Sequence, residues 1–166
     1  MISRIVSGGQ TGADRGGLDA AIHCGLPHGG WCPQGRRAED GVIPSVYDLM
    51  ESSSTDYRTR TEANVVDSDA TIIFTYGLLE DGSLLTAEFA EKHSKPWLHI
   101  DLNTTGRRHA VETIVEWLRT KCPSTCELNV AGQRGSKAPQ IAQVVKAWLI
   151  DVISKANGKL FYPIGE

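Results

Sequence analysis

The sequence predicts an α/β fold: one doubly wound domain over residues 1–158, built on a mostly parallel sheet of about five strands with helices on both faces. Three observations lead there. Short Ile- and Val-rich runs alternate with segments of roughly 9 to 20 residues that carry apolar side chains at helical spacing, which calls for right-handed strand–helix–strand crossovers. Glycine-rich turns close the strands instead of interrupting them. The length, 166 residues, suits one domain, since domains cluster at roughly 100 to 150 residues.

The first strand spans residues 2–7 and ends at Gly8-Gly9. The helix after it is expected to be capped by Thr11, with Asp14 in the acid position of a capping box. Leu18, Ala21 and Ile22 give its inner face, and Gly25 with Pro27 stops it. Residues 29–33 read as a second strand. Residues 34–57 show neither period and read as a long polar loop with one helical turn at 46–50; such loops in compact domains are as a rule functional or disordered. Thr59 and Glu62 form a capping box that opens a short helix ending at Asp67. Residues 70–75 are apolar without alternation, as in a strand covered on both faces.

Gly82-Ser83 opens a third helix with Leu85, Phe89 and Ala90 facing inward, and Pro96 precedes the strand 97–101. Val111, Ile114, Val115 and Leu118 stand at i, i+3, i+4 and i+7 and mark the clearest helix. Residues 128–131 form the fifth strand, closed by Gly132. The last helix starts at Pro139, carries Ile141, Val144, Val145, Trp148, Leu149 and Val152 on one stripe, and stops near Gly158. Residues 159–166 form a C-terminal tail.

Charge and cysteine content exclude several classes. Seventeen Lys and Arg against 20 Asp and Glu give a net charge of −3, so no nucleic-acid partner is expected. The longest apolar runs fall far short of the roughly 20 residues of a spanning helix, so no membrane association is expected. Four cysteines and an N-terminus without a secretory apolar stretch point to a reduced, cytoplasmic protein. Cys122 and Cys126 have no second pair nearby, and the histidines form no ligand spacing, so no metal held directly by the protein is expected.

In an open parallel sheet, ligands sit beyond the carboxyl ends of the strands. The residues there form a consistent set: 8–15 after the first strand, 33–37 after the second, Asp81-Gly82-Ser83 before the third helix, and 132–137 after the fifth strand. Glycine turns at helix starts, with Arg and Lys among them, suit an anion, because they bring backbone N–H groups, a helix dipole and forked donors together. The first run is neither a Walker A motif nor a G-x-G-x-x-G fingerprint. N-glycosidic hydrolysis needs a carboxylate near the sugar and a proton donor or cation at the leaving base. Glu88, Glu62 and Asp14 with Arg58 or Arg60 could supply that set. Each also has a plainer reading: Glu88 as a first-turn acid, Glu62 as a capping residue, the arginines as exposed charge.

The run from Ser7-Gly8-Gly9-Gln10-Thr11-Gly12 to Ala21 resembles the signature of the putative molybdenum carrier family, itself similar to the wider group of Rossmann-like LOG and SLOG domains. The likeness continues through residues 30–41, 57–65, 82–86 and 128–132. It implies a Rossmann-like homo-oligomer, dimer or tetramer, that holds a phosphorylated small molecule of the molybdenum-cofactor type or a nucleotide. On this resemblance Gly8, Gly9, Gln10, Thr11 and Gly12 cradle a phosphate, and Gly82, Ser83 and Thr86 form the second half of the cleft. Asp14, Arg15, Arg58, Arg60, Asn64 and Arg134 complete the expected ligand set. LOG enzymes, which release a base from a nucleoside monophosphate, place an acid three residues after the Thr of the second turn. Here Glu88 lies two after Thr86, and the double glycine is reduced to Asp81-Gly82-Ser83. The sequence therefore reads as a binding or carrier module. The alternatives are a LOG-like hydrolase or transferase, with Glu88, Glu62 and Arg60 as catalytic candidates, and a ligand sensor that acts through oligomerisation.

Overall fold

The computed structural model describes residues 1–161. Five strands form one parallel sheet: β1 (Ile2–Val6), β2 (His28–Gly29), β7 (Ala70–Thr75), β8 (Trp97–Asp101) and β9 (Cys126–Gly132), in the order β2-β1-β9-β7-β8. Four two-residue strands lie outside it: β3 (Trp31–Cys32) pairs with β6 (Met50–Glu51), and β4 (Arg37–Ala38) with β5 (Gly41–Val42). The helices are α1 (Ala13–His23), α2 (Tyr57–Val66), α3 (Asp81–Lys92), α4 (Arg107–Lys121) and α5 (Ile141–Asn157).

Apolar periodicity decides which face each helix covers. Ala20 and Ala21 of α1, Ile114 and Leu118 of α4, and Val145, Leu149 and Ile153 of α5 bury against Ile5, Leu128 and Val130 of the sheet. Val65 of α2 and Leu85, Phe89 and Ala90 of α3 form a separate cluster with Trp97 on the other face. Strand β7, paired on both sides, is buried at all six positions, which is why its sequence shows no alternation. No helix among the described residues is long and apolar enough to cross a membrane.

Several local expectations are corrected. Thr11 and Asp14 form no capping box: α1 is capped by Gly12 without a side-chain bond, because Asp14 turns toward the Gln10 N–H, 3.2 Å away. α2 begins two residues before Thr59. Its cap is Asp56, whose carboxylate accepts from the Arg58 N–H at 2.9 Å. The second strand splits at Gly30, with His28–Gly29 on β1 and Trp31–Cys32 on β6. α5 starts at Ile141, after Pro139, and ends at Gly158 in the left-handed region. Phe161 packs against the core, whereas residues 162–166 of the expected tail lie outside the described residues.

Segment 34–57 contains no helical turn at 46–50. Arg36 donates to four carbonyls, those of Ile43, Pro44, Tyr47 and Leu49, at 2.9 to 3.3 Å. Ile43, Tyr47 and Leu49 in turn bury against Leu18 and Cys32 as a small core of their own. The polar sequence hides an ordered element, because a guanidinium at its centre does the work that a backbone ladder does elsewhere.

Candidate functional site

The strand order fixes where a ligand can enter. From β1 the chain moves outward to β2, from β7 it moves the other way to β8, and β9 returns to fill the middle. The loops leaving β1 and β7 therefore diverge, and a crevice opens at their carboxyl ends. A cavity of about 550 Å³ lies there, well within the roughly 300–1,000 Å³ typical of ligand pockets.

Several segments wall it. Gly8, Gln10 and Asp14 come from the first turn, and Asn129, Gln133, Arg134 and Lys137 from β9 and its loop. Gly82, Ser83 and Thr86 come from the start of α3. Tyr57, Arg60, Thr61 and Asn64 come from α2, where the spacing i, i+3, i+4, i+7 places all four on one face. Arg37 and Ala38 close one side.

A largely buried ion pair forms part of the cavity wall. Arg60 Nη1 lies 3.3 Å from Asp14 Oδ2, and the two side chains are 13% and 8% exposed. Gly8 makes this possible, since a Cβ there would stand 1.6 Å from Arg60 Nη1. Arg60 Nε is buried without a hydrogen-bond partner. Burial raises the Asp14 pKa above the ordinary carboxylate value, against the opposing pull of Arg60 and of the backbone N–H groups of Gln10 and Gly8. Arg60 and Asp14 thus leave one buried N–H unspent beside the cavity, and a carboxyl that holds its proton more readily than usual.

Other lining groups serve as braces. Asn64 accepts from the Trp31 N–H at 2.7 Å and donates to its carbonyl at 2.9 Å. Gln133 does the same to Tyr76, at 2.7 and 3.3 Å. Ser83 Oγ accepts from the Glu80 N–H and donates to the Glu80 carbonyl, and Thr86 donates to the Gly82 carbonyl. Lys137 contacts Asp81, which holds that carboxylate below its ordinary pKa.

Beside the cavity, the turn between β4 and β5 is fastened over the first glycine run. Glu39 accepts from Thr11 Oγ1 and from the Ser136 N–H and Oγ at 2.9 and 2.6 Å, with Arg134 Nε 3.7 Å away. Burial opposes its charge, yet the bonds from Ser136 and Thr11 hold its pKa below the ordinary value. Asp40 takes both Arg15 amino groups at 2.5 and 2.8 Å.

The cavity brings together Gly8, Gln10, Asp14, Arg60, Asn64, Gly82, Ser83, Thr86 and Arg134 of the expected set. Gly9, Thr11 and Gly12 are not among its lining residues, and Thr11 is engaged by Glu39. Arg15 is turned to Asp40, and Arg58 lies over the Phe89 ring at 5.7 Å. The two carboxylates expected for catalysis are elsewhere. Glu62 binds Lys92 and His93 at the far end of α3, each at 2.7 Å, because it lies off the α2 face that Tyr57, Arg60, Thr61 and Asn64 present to the cavity. Glu88 is exposed on α3 and does not line the cavity. The lining carboxylates are Asp14, Glu80 and Asp81. Lys137 belongs to the expected 132–137 turn, whereas Tyr57 and Thr61 lie outside the expected ligand set, although polar residues at helical spacing along α2 are a readable signal. No cysteine lines the cavity, and among the described residues no group of three or more His, Cys, Asp or Glu is placed to hold a metal ion.

A parallel sheet with its crevice at the switch point, and glycine turns at the helix starts, defines a Rossmann-like domain. The chain belongs to the circularly permutated YpsA SLOG family, whose model matches residues 5–153. It is similar to the crystal structure of a protein from Syntrophus aciditrophicus SB described as a putative molybdenum carrier protein. The two are 46% identical, the match covers 92% of this chain and 95% of that one, and the TM-score is 0.87. Comparison with curated proteins gives no match.

Proposed function

We propose that the protein binds and carries a phosphorylated, ring-bearing small molecule in the switch-point cavity, either a molybdenum cofactor of the molybdopterin type or a nucleotide. The observation that carries this reading is Arg60: a largely buried guanidinium on the cavity wall whose Nε has no partner. A buried donor left unpaired costs roughly 1–3 kcal/mol, and a ligand oxygen would recover it. Arg37 and Lys137 stand on the same cavity, and Asp81, Gly82 and Ser83 at the positive end of α3 line it. The Syntrophus protein's description as a molybdenum carrier supports the cofactor form of this reading.

The donor set fits such a group. Arg37, Arg60, Arg134 and Lys137 are the cations on the cavity that its phosphate would meet, and Tyr57 would flank its ring. With no thiol on the cavity, the metal would stay on the cofactor's own sulfur atoms, which is the chemistry that group supplies when bound. We take the protein to work as a cytoplasmic homo-oligomer, dimer or tetramer, without nucleic-acid or membrane partners; light scattering gives the subunit number.

The test is mass spectrometry of the molecule that co-purifies, followed by titration of wild type and Arg60→Ala with it and with AMP. A loss of at least tenfold in affinity, about 1.4 kcal/mol, with the fold intact is expected. Unchanged affinity overturns the reading. One observation favours a second reading, a nucleoside-monophosphate hydrolase: Asp14, with its raised pKa beside Arg60, is placed as a proton donor. Release of free base from AMP that is lost in Asp14→Asn would establish it.

A further inference from the structure

Glu39 is held in an unusual way for a side chain on a two-residue hairpin turn. Its Oε1 meets the Ser136 N–H and the Thr11 hydroxyl, while its Oε2 meets the Ser136 hydroxyl and faces Arg134. Thr11 Oγ1 also accepts from the Gly135 N–H at 3.0 Å, so the hydroxyl is oriented toward the carboxylate. A backbone N–H, two hydroxyls and a guanidinium converging on two oxygens are the donors that recognise a tetrahedral oxyanion. They come from the turns after β1 and after β9, neighbouring strands whose turns both reach the cavity.

The hairpin that delivers Glu39 is weakly tied. β4 and β5 pair only with each other, over two residues each, and Val42 is 72% exposed. Its base is separately anchored by Arg36 and by the small core of Ile43, Tyr47 and Leu49. Ala38 is the hairpin residue that rests on that core, so the tip at Glu39 and Asp40 can lift while Ile43, Tyr47 and Leu49 stay buried. What holds the tip is Glu39 itself, the Gln10 side chain on the Glu39 N–H at 2.9 Å, and the Asp40–Arg15 pair. Arg37, two residues before Glu39, lines the cavity.

We infer that Thr11, Ser136 and Arg134 form an oxyanion subsite at the cavity edge, that Glu39 fills it as an internal anion, and that a free phosphate or the phosphate of a ligand competes with Glu39 for it. This rests on the reading of the cavity as a binding site for a phosphorylated molecule and adds a gate to it. A dianion that takes the subsite gains the same hydrogen bonds and a stronger pairing with Arg134. The hairpin tip is then released from the first glycine turn.

The test is calorimetric titration of wild type, Glu39→Ala and Glu39→Gln with inorganic phosphate, with molybdate and AMP as separate arms. Glu39→Ala is expected to bind phosphate at least tenfold more tightly than wild type, and the added change Arg134→Ala to abolish that gain. If both Glu39 variants stay folded by circular dichroism and bind phosphate no more tightly, Glu39 is a structural clasp and the inference falls. Should the variants fail to fold, hydrogen exchange on wild type decides it: faster exchange at residues 37–42 with saturating phosphate supports the gate, and unchanged exchange overturns it. AMP bound equally well by wild type and Glu39→Ala overturns the gate and leaves the cavity reading intact. Tighter phosphate binding without any AMP or cofactor binding supports the subsite and overturns that reading. A response to molybdate alone would assign the subsite to the metal oxyanion and not to a phosphate.

Discussion

Arg60 and Asp14 show what a sequence hides at the scale of single residues. They are 46 positions apart, each had a sufficient local explanation, and only the fold sets them face to face. Gly8 was legible as a turn residue, yet its role is to leave room for a guanidinium. The pair has a titration signature with a definite sign. Burial lifts the native pKa of Asp14 above its unfolded value of 3.8, so between these two values the folded state holds more protons than the unfolded one. Stability contributed by Asp14 is present below 3.8 and declines as pH rises through the native value. Glu39 and Asp40, with lowered pKa values, act in the opposite sense, so the wild-type curve alone mixes both effects. We expect the unfolding free energy of wild type, relative to Asp14→Asn, to fall as pH is raised from 3.8. Urea titrations over pH 3 to 8 measure it, and a difference that stays flat or rises contradicts the assignment.

Among the elements, α4 and α5 were readable because their apolar stripes bury against one sheet face. Segment 34–57 was not, because its order comes from one arginine bonding to carbonyls, which leaves no period in the sequence. The start of α2 was misplaced for a related reason: Thr59 and Glu62 match a capping box, but Asp56 offers an earlier cap and wins. If Arg36 holds the segment, Arg36→Ala should destabilise the protein by roughly 2–4 kcal/mol, since several charge-assisted bonds are lost together. The damage should be local. Limited proteolysis should show new cleavage within residues 34–57 while α4 and α5 keep their exchange protection. Uniform loss of protection would mean instead that the segment is an integral part of the main core.

The alternation of strands and helices across the whole molecule announced the fold class, and the glycine turns announced which edge of the sheet carries the site. Strand order was not legible, because nothing local in β9 says that it returns between β1 and β7. That return makes the crevice, and Gly132 is where it is fitted. Gly132 pairs in register with Phe74, and a Cβ at Gly132 would stand 2.0 Å from the Phe74 carbonyl oxygen. Gly132→Ala must therefore push β9 off β7 at the end that shapes the cavity. Gly158 provides the control: it also has a positive φ, 65°, but no atom lies within 4 Å of a Cβ built there. Gly158→Ala pays only for its backbone, about 1 kcal/mol. Gly132→Ala adds a clash between two backbones and should cost about 3 kcal/mol or more. For a chain of this size 1 kcal/mol moves Tm by roughly 2–4 °C, so the two variants should melt some 4 °C or more apart. Equal melting temperatures would mean that the β7–β9 junction can relax, and that the shape of the crevice is not set there.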